Sequence, residues 1–202
     1  MLRELNNDLE EIVTRVRRSL VHVHNGRRGA GSGTIWHADG LVVTNAHVVG
    51  HGPVKVELQD GRTFPAQILA QNVEQDLAAL RLEGAGIADL PAIQLGDSRA
   101  LRPGEWVVAL GYPWGVAGAA TAGIVIGMSA HRPEMPGNGR DWISLSLHLR
   151  PGHSGGPLVD ARGRLVGINT MMTGPDTGLA IPVDAAKAFL ETVPGRSSHI
   201  RV

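Results

Sequence analysis

Apolar and polar positions along the chain change rhythm twice. Near the start, Leu9, Ile12, Val13, Val16 and Leu20 recur at helical spacing, with Asp8 placed to cap and Glu11 three residues on. The pattern then shortens into strand-like runs. Leu20 to His24 ends at Asn25-Gly26, Thr34 to His37 ends at Asp39-Gly40, and Val54 to Leu58 ends at Asp60-Gly61 before Thr63 to Leu69. Turn pairs of this kind between short β-rich runs predict hairpins. Further strands are expected at Leu77 to Leu82, Trp106 to Leu110, Ala122 to Ser129, Trp142 to Leu147, Pro157 to Val159, Leu165 to Asn169 and Gly178 to Ile181. A helical rhythm returns from Val183 to Val193, carried by Ala185, Ala186, Ala188, Phe189 and Leu190. Many short strands with few helices imply an all-β barrel or sandwich. No repeat, low-complexity tract or long linker is visible.

Composition narrows this only a little. The chain has 202 residues, 43% hydrophobic and 19% charged, which suits one globular unit or two halves sharing a core. Its formal net charge is zero, so the balance points to neither nucleic acid nor an anionic membrane as partner. It has no cysteine, which excludes disulfides, zinc-thiolate sites and a thiol nucleophile. The opening residues lack the apolar core of a signal peptide, so the sequence as written reads as cytoplasmic; a missing N-terminal segment would make it periplasmic or membrane-tethered. The uncharged stretch Val107 to Ser129 is long enough to span a bilayer, but Pro113 and five glycines break it. Two buried strands joined by a glycine-rich loop account for it better.

The candidate chemistry begins at Ser154, within Gly152-His153-Ser154-Gly155-Gly156-Pro157. Glycines on both sides let the backbone turn sharply and approach a substrate. The N–H groups of Gly152 and Ser154 could then converge where an oxyanion develops. A hairpin turn whose serine merely caps a backbone group fits the same residues. They also fit the nucleophile elbow of α/β-hydrolases, but that fold needs a helix after the serine and a later catalytic histidine. Gly155, Gly156 and Pro157 oppose the helix, and the only later histidine is His199. A base from upstream is therefore required. His47 follows the apolar run Leu41 to Val43, and Asp76 stands at the mouth of Leu77 to Leu80, placed to orient an imidazole. Each alone could be a surface histidine or a capping aspartate. His47 and His51 are spaced as a metal pair, but the Glu of H-E-x-x-H is missing and Gly50 weakens a helix there, so no metal and no cofactor is expected.

In this order the blocks resemble the chymotrypsin-like proteases of the HtrA/Deg group over nearly the whole chain. The resemblance rests on Gly31-Ser32-Gly33, TNAHVV at 44–49, DLAAL at 76–80, LGDS at 95–98, GEWVVALGYPWG at 104–115 and TAGIV at 121–125. It continues with PGHSGGPLVD at 151–160, GRLVGINT at 163–170 and GLAIP at 178–182. It implies an all-β fold of two six-stranded antiparallel barrels with an N-terminal and a C-terminal helix, residues 20–100 forming the first half, 101–185 the second and 186–202 the C-terminal helix and tail. It also implies a triad of His47, Asp76 and Ser154 and an oxyanion hole from Gly152 and Ser154. His47 would act as general base and then general acid, Asp76 would hold its tautomer, and water would hydrolyse the acyl-enzyme.

The chain departs from its relatives in several places. His153 stands where the group usually has Asn and digestive relatives have Asp, which argues against activation by cleavage. No PDZ domain is expected after the last helix, and the N-terminal segment lacks the aromatics of the group's trimer contact, leaving a homo-oligomer open. His148, Leu149 and Arg150, with Thr170, Met171 and Met172, should border the specificity pocket. That loop carries no acid, so cleavage after small or medium apolar residues of unfolded or misfolded chains is the first expectation. A preference for acidic residues, paired by His148 or Arg150, is the second. A silent relative binding extended peptides by strand addition, or a resting form with Gly152 flipped, stand as the alternatives.

Overall fold

The computed structural model describes residues 2–26, 30–50, 52–129, 141–174 and 176–193. Two closed barrels fill it. The first is built from β1 (Leu20–His24), β2 (Ala30–His37), β3 (Leu41–Thr44), β4 (Val54–Glu57), β5 (Thr63–Asn72) and β6 (Leu77–Leu82), in the order β1-β2-β3-β6-β5-β4. The second uses β7 (Trp106–Gly111), β8 (Ala119–Ser129), β9 (Trp142–Ser146), β10 (Pro157–Asp160), β11 (Leu165–Met172) and β12 (Gly178–Pro182), in the order β10-β11-β12-β9-β8-β7. Read around from its own first strand, each barrel follows the same connectivity, and every pairing is antiparallel. The uncharged stretch considered as a membrane span is β7 and β8. Among the described residues no helix is long and apolar enough to cross a membrane.

Alternation along the strands decides what fills each barrel. Val21, Val23, Ile35, Val42, Val56 and Leu80 meet inside the first, and Val107, Val125, Leu145, Leu158 and Val166 inside the second. A third apolar cluster joins the halves. Leu20, Val43 and Leu77 from the first barrel meet Leu110, Trp142, Ile168 and Leu179 from the second. Helix α1 (Leu2–Arg17) adds Ile12 and Val16 to that cluster, and α3 (Val183–Glu191) adds Ala186, Phe189 and Leu190. The barrels are therefore joined along an apolar seam, and the site lies where the seam opens.

Two local expectations change. Helix α1 starts at Leu2, so Asp8 lies inside it and does not cap. Arg3, Glu4 and Leu5 are strong helix formers and carry the element past the capping candidate. A four-residue helix α2 (Ala46–Val49) does form around His47, and Gly50, at φ 55°, ends it. The glycine terminates the turn instead of preventing it. His51 and His199 lie outside the described residues.

Candidate active site

His47 is presented on α2, directly after β3, and Asp76 on the turn between β5 and β6. The Asp76 carboxylate receives His47 Nδ1 at 2.9 Å to each oxygen and the His47 backbone N–H at 3.1 Å. One carboxylate thus fixes both the ring and the main chain that carries it. Asp76 is itself held in the left-handed region at φ 54°, a conformation that Asp tolerates better than most residues. Its N–H donates to Val73 O at 3.3 Å, and its carbonyl accepts from Asn45 Nδ2 at 2.9 Å. Asn45 is fully buried and also reaches Thr170 Oγ1 at 3.3 Å, on β11 of the other barrel. Gln71 Nε2 donates to Ala46 O at 3.0 Å and closes the base of the turn. The Asp76 side chain is 11% exposed and that of His47 49%, so the acid is shielded while the imidazole reaches the cleft.

Ser154 comes from the loop between β9 and β10. His153 N–H donates to Arg150 O at 2.9 Å, with Pro151 second and Gly152 third at φ 105°. These are the marks of a type II turn, which needs a positive φ at its third residue and favours Pro at its second. A Cβ at residue 152 would collide with the carbonyl of Tyr112. Gly152 O accepts from Ser32 Oγ at 2.6 Å and from Tyr112 N–H at 3.1 Å. Ser32 N–H donates to Ser154 O at 2.8 Å, and Ser32 O accepts from Thr44 Oγ1 at 2.6 Å. One serine on β2 of the first barrel therefore grips the nucleophile loop of the second on both sides of His153. The N–H groups of Gly152 and Ser154 donate to no group among the described residues.

Ser154 Oγ donates to Thr170 O at 2.8 Å, and no hydrogen bond joins it to the His47 ring. The two side chains nonetheless line one cleft of about 770 Å³, together with Asp76, Leu149, Arg150, Thr170, Met171 and Met172. A turn about the serine χ1 between staggered wells would exchange the Thr170 carbonyl for the imidazole. Catalytic contacts often tighten only once substrate binds.

The expected specificity residues divide. Leu149, Arg150, Thr170, Met171 and Met172 line the cleft, and Leu149 N–H meets Met172 Sδ at 3.2 Å. His148 is exposed and is not among the lining residues. The Arg150 guanidinium lies 5.7 Å from the Trp114 ring centroid, a cation–π contact. His153 is 1% exposed, and its Nδ1 receives the Arg150 N–H at 3.1 Å while Nε2 is buried with no partner. Burial and the nearby Arg150 charge push its pKa down, against the opposing pull of the Arg150 backbone. Ser32, Asn45, Gln71 and Tyr112 were not singled out by sequence reasoning as parts of the site. Their only signal was membership of the motif blocks, or, for Gln71, none.

Twin barrels that share a cleft, with a histidine–aspartate pair from one and a glycine-flanked serine from the other, define the chymotrypsin-like class of serine peptidase folds. The trypsin-like peptidase domain family matches residues 31–168, and the chain belongs to that family, in its HtrA-type branch. It is 42% identical over 170 residues to the putative serine protease HhoA of Synechocystis sp., covering 82% of this chain and 43% of that protein. It is likewise 42% identical over 171 residues to the mitochondrial serine protease HTRA2 of Drosophila pseudoobscura pseudoobscura, covering 82% of this chain and 39% of the relative. The chain thus spans about two fifths of the length of these relatives. Among solved structures, the HtrA-type protease AlgW with a tripeptide superposes with a TM-score of 0.82 at 33% identity, over 91% of this chain and 62% of that one. AlgW with a decapeptide gives a TM-score of 0.80 at 29% identity, over 91% and 66%.

Proposed function

We propose that the chain is a serine endopeptidase in which Ser154 attacks the peptide carbonyl, His47 carries the proton and Asp76 holds His47 in the required tautomer. The observation that carries this reading is the Asp76 carboxylate, which accepts from His47 Nδ1 at 2.9 Å and so leaves Nε2 as the free base in the cleft that Ser154 lines. The N–H groups of Gly152 and Ser154, unpartnered among the described residues, supply the oxyanion donors. The type II turn at Arg150–His153 argues for a loop in its working form and against a flipped Gly152. Proton transfer then runs from Ser154 Oγ to His47 Nε2 as the acyl bond forms. It runs on to the leaving amine as the peptide bond breaks, and water repeats the cycle to release the acid.

The substrate class follows from the walls. Leu149, Met171 and Met172 offer apolar surface, and methionine adapts to side chains of different shape. An extended segment of an unfolded protein, lying beside β11, would present an N–H to Thr170 O and release Ser154 toward His47. The expected cleavage is after small or medium apolar residues. With His148 outside the lining and Arg150 over Trp114, a preference for acidic residues has less support. The test is a fluorophosphonate probe on the wild type beside Ser154→Ala and His47→Ala. Labelling of the wild type that vanishes in both variants is expected. A well-folded wild type that takes no label, with or without unfolded protein added, would replace this reading with a peptide-binding one.

A further inference from the structure

We propose that His22, His24 and Glu57 form a binding site for one divalent transition-metal ion of the zinc type, on the outer wall of the first barrel and separate from the cleft. On β1 the two histidines alternate with Val21 and Val23, which point into the barrel, so both imidazoles share the outward face. On β4 the inward residues are Val54 and Val56, which puts Glu57 outward, directly opposite His22 in the antiparallel register. One ligand atom from each of the three lies within 4.8 Å of the others.

The spacings suit an ion. A tetrahedral centre with bonds of about 2.0–2.1 Å sets neighbouring ligand atoms roughly 3.3 Å apart. Glu57 Oε2 stands 3.1 Å from His24 Nε2 and 3.9 Å from His22 Nδ1, on either side of that value. A single histidine would satisfy this carboxylate with a hydrogen bond; the second imidazole, turned to the same oxygen, supplies the third ligand. The ring of His22 is held by Tyr112, stacked at 4.5 Å between centroids and 5° between planes. Gln59 Nε2 in turn bonds the Tyr112 hydroxyl. Two imidazoles and one carboxylate favour zinc, copper, nickel or iron over calcium or magnesium, and leave a fourth position for water. Lys55 shares the outward face opposite His24, but it is exposed, and its long side chain can extend away from the site.

Tyr112 touches both this site and the nucleophile loop. Stacked on His22, it donates its backbone N–H to the Gly152 carbonyl. No ligand belongs to the proposed catalytic set, so binding is measurable whether or not the chain is a peptidase. The experiment titrates the whole chain carrying Ser154→Ala, which removes any self-cleavage, with Zn²⁺ against a chromophoric chelator, and with Co²⁺ read by its visible absorption. One equivalent of Zn²⁺ per chain is expected, with affinity at least tenfold weaker in each of His22→Gln, His24→Gln and Glu57→Gln and unchanged in His37→Gln. Co²⁺ should give the intense bands of a tetrahedral site and lose them with Glu57→Gln. If a variant fails to fold, diethyl pyrocarbonate modification of the folded protein replaces it, with Zn²⁺ expected to protect His22 and His24 together. The absence of a saturable equivalent, or binding indifferent to all three substitutions, or equal modification with and without Zn²⁺, would overturn the site.

Discussion

The two barrels share one connectivity but hold their contributions to the cleft by opposite means. The first fixes His47 and Asp76 through side chains: the carboxylate binds the histidine twice over, and buried Asn45 anchors the aspartate from behind. The second fixes Ser154 through backbone shape, with a type II turn, a glycine at φ 105° and two carbonyls tied to Ser32 and Tyr112. The difference teaches where each half is vulnerable. Changing a functional group should disable the first barrel's contribution and leave its geometry, whereas adding a methyl group or removing a tether should disable the second with every functional group still present.

The largest separation is expected from Asp76→Asn. Without the carboxylate the imidazole settles in the wrong tautomer, and kcat should fall by about 10⁴-fold with little change in the fold. A variant that kept most of its peptide hydrolysis would remove Asp76 from the mechanism. Gly152→Ala comes next. The new methyl group meets the Tyr112 carbonyl, and displacing one proposed oxyanion donor should lower kcat by about 10²–10³-fold while the His47–Asp76 proton stays visible by NMR. If that proton signal vanished as well, the two halves would not be independent. Ser32→Ala should cost about 0.5–1.5 kcal/mol of stability, because Gly152 O loses the Ser32 hydroxyl while the Tyr112 N–H still reaches it, with a drop in kcat of roughly tenfold. Denaturant unfolding measures the first and peptide hydrolysis the second. An unchanged kcat would show the turn to be self-sufficient.

The smallest effect concerns His153. Its folded pKa lies below the ordinary value of about 6.5, because burial and the Arg150 charge disfavour the imidazolium. Below that ordinary value the unfolded chain takes up a proton that the native state refuses. Stability from this group is therefore complete above about pH 6.5 and is lost as pH falls from there through the folded pKa. Denaturant unfolding at neutral and mildly acid pH should show a smaller loss in His153→Asn than in the wild type. Equal losses would mean that other groups carry the acid sensitivity.

How much of this was written in the residues differs between the barrels as well. Turn pairs such as Asn25-Gly26 and Asp39-Gly40 marked strand ends because their chemistry is local, so β1 and the end of β2 appear where they were expected, although β2 starts at Ala30 and not at Thr34. Strand β11 runs on to Met172 and β8 begins at Ala119, beyond the expected bounds, because partner strands and not local preference set where pairing stops. The shared connectivity of the halves left no trace as a repeat, since it requires only apolar alternation and not the same residues. The tethers from Ser32 to Gly152 and from Asn45 to Thr170 were out of reach for the same reason. They join residues more than a hundred positions apart, and a buried polar side chain announces its partner only in three dimensions.

Ser32 also bears on timing. The nucleophile loop takes its shape against a strand of the N-terminal half, which leaves the ribosome first and can close as a unit before the second half exists. The reverse does not hold, because a free second half would lack both Ser32 contacts to the carbonyls of Gly152 and Ser154 and keep only the Tyr112 N–H on Gly152 O. A nascent or half-folded chain should therefore carry no competent nucleophile. Newly made copies of the proposed peptidase would stay harmless to their own unfolded neighbours until both halves had docked.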